Sequence, residues 1–129
     1  AQRLVRRLEA NYPGRVLPCF IEVNCSREAS KEGINPEDAW ELTQQVLQME
    51  QLSLRGFMTI GALSSDEERI RESFRILRQL RDRTLAAGGR GQVARELSMG
   101  MSQDLEIAIS EGATMVRIGT DVFGARDYR

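Results

Sequence analysis

Residues 96–118, ELSMGMSQDLEIAISEGATMVRI, read as strand, helix and strand with no hairpin signal between them. The apolar run Glu96–Met99 forms the first strand. A helix follows from about Ser102 to Glu111, where Gly112 stops it, and Met115–Ile118 forms the second strand. Two strands joined through a helix run parallel, with a right-handed crossover. The same unit recurs upstream. Val16–Val23 is a strand whose Pro18 predicts an imperfect ladder near its start. Asn35-Pro36-Glu37-Asp38 then opens a helix to about Met49, with a cap, a proline at the first position and acids in the first turn. Leu54–Ile60 is the next strand, ending at Gly61. The capping box Ser65-Asp66-Glu67-Glu68 opens a long helix whose buried face carries Ile70, Phe74, Leu77 and Leu80 or Arg81. An amphipathic helix over 2–11, ended by Pro13-Gly14, precedes the first strand, and the Gly-rich stretch Ala87–Arg95 reads as a flexible connector. Four βα units in a row make an α/β fold with a parallel sheet, about half of an eight-stranded TIM-type barrel. The chain opens in mid-helix without a methionine, so residues 1–129 are expected to be the C-terminal half of a single longer barrel. A four-stranded half leaves two sheet edges open, to be covered by the other half or by a dimer partner.

Composition narrows the chemistry. The chain has 129 residues, 41% of them hydrophobic, and a net charge of −1, so bulk charge favours neither nucleic acid nor an anionic membrane. No apolar run approaches the ~20 residues of a membrane span, and the cytoplasm is the expected compartment. Histidine is absent, which removes His-based triads and the commonest general base. Cys19 and Cys25 have no spacing that suggests a disulfide framework or a zinc site, and read as reduced, half-buried thiols. Lys31 is the one lysine beside 17 arginines, so any Schiff-base amine in this chain must be Lys31.

The polar residues of interest gather at or just past the carboxyl ends of strands: Asn24, Thr59, Ser98, Ser102, Gly119 and Thr120. That edge is the working face of barrels and open α/β sheets alike. Residues 97–102 (LSMGMS) and 115–120 (MVRIGT) each end a strand in Gly, Ser or Thr, where free backbone N–H groups suit a phosphate. Arg117 places a positive charge inside a strand where barrels usually carry an aliphatic residue. A phosphorylated cofactor or substrate follows. The Asn24–Gly33 stretch (NCSREASKEG) reads by composition as a solvated loop with Glu28 and Lys31 exposed. Asp66, Glu67, Glu68, Asp104 and Glu106 read as helix-cap charges, and Met58, Met99, Met101 and Met115 as core filler.

Four stretches together carry a family resemblance. These are Asn24-x-Ser26-x-Glu28-x-x-Lys31-x-Gly33, Leu54-Arg55-Gly56-Phe57-Met58, LSMGMSQDLEIAI (97–109) and GATMVRIGTDVFGARDY (112–128). The chain resembles the YggS-like pyridoxal phosphate homeostasis proteins, single-domain relatives of the N-terminal barrel of alanine racemase, over their C-terminal half. The resemblance implies strands five to eight of a barrel that holds pyridoxal 5′-phosphate. Gly119 and Thr120 would offer N–H groups, and Ser102 or Ser98 a hydroxyl, to its phosphate. Arg117 would face the pyridine nitrogen, with Asn24, Glu28 and Lys31 near the cofactor's face and Lys31 an accessory amine. The family's Schiff-base lysine belongs to the N-terminal half. Asp121 departs from the small apolar residue usual there, and a carboxylate beside a phosphate weakens anion binding unless it points outward.

The function implied is that of an intracellular cofactor carrier without turnover, whose partners are pyridoxal phosphate and the apoenzymes that use it. An arginine at the ring nitrogen donates to an unprotonated nitrogen and disfavours electron-sink chemistry. Two alternatives remain open here: a racemase-like enzyme on the same cofactor, and a half barrel for a sugar phosphate. The enzyme would need a second base, and Tyr12 and Tyr128 both lie at element edges.

Overall fold

The structure is a computed structural model describing residues 1–29 and 31–127. Tyr128 therefore lies outside the described residues. Helix α1 (Gln2–Asn11) leads into β1 (Leu17–Glu22), α2 (Pro36–Leu47), β2 (Leu52–Met58), α3 (Glu67–Ala87), β3 (Glu96–Met101), α4 (Leu105–Ser110), β4 (Met115–Arg117) and a single-turn α5 (Thr120–Phe123). All strand pairs are parallel, in the order β1-β2-β3-β4. This is the α/β arrangement expected. The β1–β2 register shifts between Cys19 and Phe20, immediately after Pro18, and passes over Arg55.

Core side chains lie where the sheet meets α2 and α3. Phe57 and Leu97 from adjacent strands, and Phe74 and Leu77 from α3, are completely buried. Asp66 caps α3 by accepting from the Glu68 N–H at 3.0 Å, while Ser64 accepts from the Asp66 N–H. β1 and β4 are the outer strands. Ile34 pairs with the carboxyl end of β1 on its outer side, and the apolar side chains Met115 and Val116 of β4, with Ile118 just past it, lie exposed.

Two expectations change. The Gly-rich connector is not a flexible linker: Gly89–Val93 form a 3-10 turn packed against α3 and β2. Arg90, its second residue, donates to the carbonyls of Leu47, Met49 and Leu52, two of them at 2.8 Å. The carbonyls at the end of a helix need donors, and this arginine supplies them from 43 residues away. Helix α4 is also shorter than its periodicity predicts, because Asp104 folds back to accept from the Met101 N–H at 2.7 Å.

Just past α4, Glu111 is buried among three arginines of α3. Its carboxylate accepts from Arg71 at 3.0 Å and Arg78 at 2.9 Å, with Arg75 at 3.4 Å. Burial pushes this carboxyl up, but the Arg71 hydrogen bond and the Arg75 and Arg78 charges outweigh it, so it titrates below its ordinary range. A depressed carboxyl stabilises the fold above its unfolded value and loses that contribution as pH falls through the folded one. Glu111→Gln is expected to cost about 1–2 kcal/mol at neutral pH. Urea melts should show the full gap to wild type above about pH 5 and its progressive closure as the pH falls through the depressed carboxyl. A gap independent of pH would mean the carboxylate charge is not what matters.

Candidate functional site

The carboxyl ends of the four strands meet at Thr59, one residue beyond β2 and fully buried. Its hydroxyl donates to the Val23 carbonyl at 2.7 Å, and its N–H donates to the Ser98 carbonyl at 3.1 Å. Its own carbonyl accepts from Arg117 Nη2 at 3.2 Å, so the β4 arginine lies across the end of β3. One residue thus ties three neighbouring strands and holds the guanidinium of β4. A hydroxyl-bearing residue at a strand end was the available signal in the sequence, and its three bonds appear only in the fold.

Arg117 Nε is buried with no hydrogen-bond partner, the one such side-chain polar atom among the described residues. Leaving a buried donor unpaired costs about 1–3 kcal/mol. An acceptor brought in by a ligand removes that cost. A pyridine nitrogen is an acceptor of the right kind, so the residues present fit the ring end of the expected cofactor.

The β3–α4 and β4–α5 junctions, where the sequence places a phosphate as an expectation, lie side by side. Ser102 Oγ accepts from the Asp121 N–H at 3.4 Å, joining the two junctions. Gly119 caps α5, with Thr120 its first residue, and both are exposed. Ser98 is buried inside β3, paired with Met115. Of the two serines, Ser102 is the one that touches the α5 start. Asp121 is exposed.

The Asn24–Gly33 loop is not the solvated loop its composition suggests. Asn24, Cys25 and Ser26 are buried. The Asn24 side-chain amide donates to the Glu28 carbonyl at 2.8 Å and the Lys31 carbonyl at 3.5 Å, and its oxygen accepts from Ser26. Gly33 takes φ +104°, and a Cβ there would stand 2.9 Å from the Asn24 nitrogen. The polar residues thus turn inward to satisfy a tightly wound backbone.

Lys31 and Glu28 are only 17% and 27% exposed. Lys31 Nζ donates to the Gly61 carbonyl at 2.5 Å and lies 3.6 Å from Glu28, while Glu28 accepts from the Leu63 N–H. Both residues bind this loop to the segment after β2. Arg27 stays outside, paired with Glu37. Cys25 is a poor nucleophile: burial pushes its thiol up to about 11, against the smaller opposing effects of Thr59 and Arg27. Cys19 and Cys25 are both free.

Residues 1–127 match the family model for the alanine racemase N-terminal domain. The chain belongs to that family. A pyridoxal phosphate homeostasis protein of Pseudomonas aeruginosa is 46% identical over 129 residues, which are 99% of this chain and 52% of the relative. A structure described as an unknown protein from Bifidobacterium adolescentis superposes with a TM-score of 0.88 at 44% identity, over 95% of this chain and 48% of that one. PipY of Synechococcus elongatus, in a structure with pyridoxal phosphate bound, gives a TM-score of 0.73 at 29% identity, over 96% and 57%. The chain therefore spans about half the length of the curated relatives it matches. The resemblance read from the sequence is to the same group of proteins.

Proposed function

We propose that residues 1–129 form the C-terminal half of a pyridoxal 5′-phosphate-binding barrel that carries the cofactor in the cytoplasm without turning over a substrate. The unpaired, buried Arg117 Nε is the observation that carries this reading. Arg117 binds the ring nitrogen. Ser102 and the N–H groups of Gly119 and Thr120 take the phosphate, and Asn24 shapes the loop that brings Glu28 and Lys31 to the same edge. Bound pyridoxal phosphate would supply an electron sink, which a guanidinium donor at the ring nitrogen weakens. Carriage is favoured over racemisation because Tyr12 stands before β1, at the opposite end of the strands, and Cys25 is held protonated. The cofactor itself and the apoenzymes that receive it are the expected partners.

Thermal unfolding of the chain with pyridoxal phosphate, pyridoxal or inorganic phosphate tests this. Ligand at about 100 times its Kd adds ~2.7 kcal/mol to stability. Pyridoxal phosphate should raise Tm more than either fragment at equal concentration, and Arg117→Ala should remove most of the difference. Equal shifts from inorganic phosphate and pyridoxal phosphate would favour the sugar-phosphate reading. No shift would sink the binding site altogether.

A further inference from the structure

We infer that Thr59 is the positioning residue for Arg117, its hydroxyl clamp on β1 aiming the guanidinium at the ring nitrogen. The inference rests on the cofactor reading above and adds the residue that makes the contact selective. A guanidinium at the end of a three-carbon stem samples many rotamers unless something fixes it. Here its fixed point is a backbone carbonyl, that of Thr59. A carbonyl one residue past a strand end is free to rotate with its peptide. Here the residue that carries it is anchored at two points, because the Thr59 N–H is committed to Ser98 and its hydroxyl to Val23. With Nη2 anchored there, Nε lies buried and unpaired, a donor left over for an acceptor that the site receives. The hydroxyl therefore acts at one remove, through Val23 and the peptide, and touches no ligand.

The test compares pyridoxal phosphate with its N-methyl analogue, whose ring nitrogen has no lone pair and carries a fixed positive charge. Binding is read by equilibrium dialysis on the full chain. Wild type should prefer pyridoxal phosphate by about tenfold or more, the worth of one charge-assisted hydrogen bond. Thr59→Val should lose most of that preference while binding the analogue as before, and Thr59→Ser, which keeps the hydroxyl, should restore it. In an Arg117→Ala background, Thr59→Val should cost nothing further, as expected when one residue acts only through the other. Thr59→Ala replaces T59V if the added methyl prevents folding. The Arg117 Nε–H resonance, assigned by its loss in R117A, gives a second readout: it should shift on adding pyridoxal phosphate to wild type and T59S alone. Equal weakening of both ligands by T59V, or full additivity with R117A, would overturn the positioning role and leave the cofactor site standing. Failure of wild type to bind pyridoxal phosphate would overturn both.

Discussion

Gly56→Ala should abolish the folded state. Gly56 sits on β2, paired with Phe20 on one side and Glu96 on the other. A Cβ at this position would stand 2.2 Å from the Glu96 carbonyl oxygen and 2.7 Å from its carbonyl carbon. These are backbone atoms of the neighbouring strand, so no rotamer change relieves the clash. β2 must move away from β3, and Phe57 and Leu97, paired in the next register position and fully buried, must separate. The Thr59–Ser98 bond lies further along the same ladder and would go with them. Total stability of a domain is about 5–15 kcal/mol, and one substitution that opens a core and breaks a ladder can consume most of it. Gly119→Ala is the matching control, since nothing lies within 4 Å of a Cβ there. Far-ultraviolet circular dichroism and urea melts of the two variants decide the matter. A cooperative melt for G56A near the wild-type midpoint would refute the close approach.

Strand order and direction were readable in the sequence because they rest on periodicity and on connections too long for hairpins. Most strand boundaries shifted by a residue or two. β2 starts at Leu52 instead of Leu54, since Gln51 and Ser53 hide the strand in a polar context, and β3 runs to Met101 because Gly100 at φ +104° bends the strand without ending it. The site was legible to a different depth at each residue. Arg117 was conspicuous because arginine is rare in a barrel strand. Thr59 stood among the polar strand ends without a role, because hydrogen bonds to Val23, Ser98 and Arg117 join residues 36, 39 and 58 positions apart. The same distance in sequence hid Arg90 and the inward turn of Lys31 towards Gly61, 30 residues on. Composition reports whether a residue prefers water. It does not report whether a distant carbonyl needs its proton.

The second large effect is expected under the loop that Lys31 holds. Phe74 is fully buried on α3, and its ring supports the segment after β2 from below. A Cβ placed on Gly61 would lie 2.9 Å from Phe74 Cζ and 2.7 Å from Asp104 Oδ2, so Gly61 is wedged between the ring and the α4 cap. Phe74→Ala should cost about 3–5 kcal/mol, lost transfer energy plus the cavity left behind. That is a large part of a 5–15 kcal/mol total, but unlike Gly56→Ala it forces no backbone clash, so a weakened fold should survive. The cavity opens directly beneath the peptide whose carbonyl receives Lys31. Stability and site should therefore fail in sequence. Limited proteolysis should first cut near residues 60–66 at urea concentrations where the helices are still intact, and pyridoxal phosphate binding should weaken before the sheet melts. Phe74→Leu, which refills most of the volume, should recover more than half of the lost stability. Loss of stability without earlier cleavage at 60–66 would show that the ring supports the core alone and that the loop stands on its own hydrogen bonds.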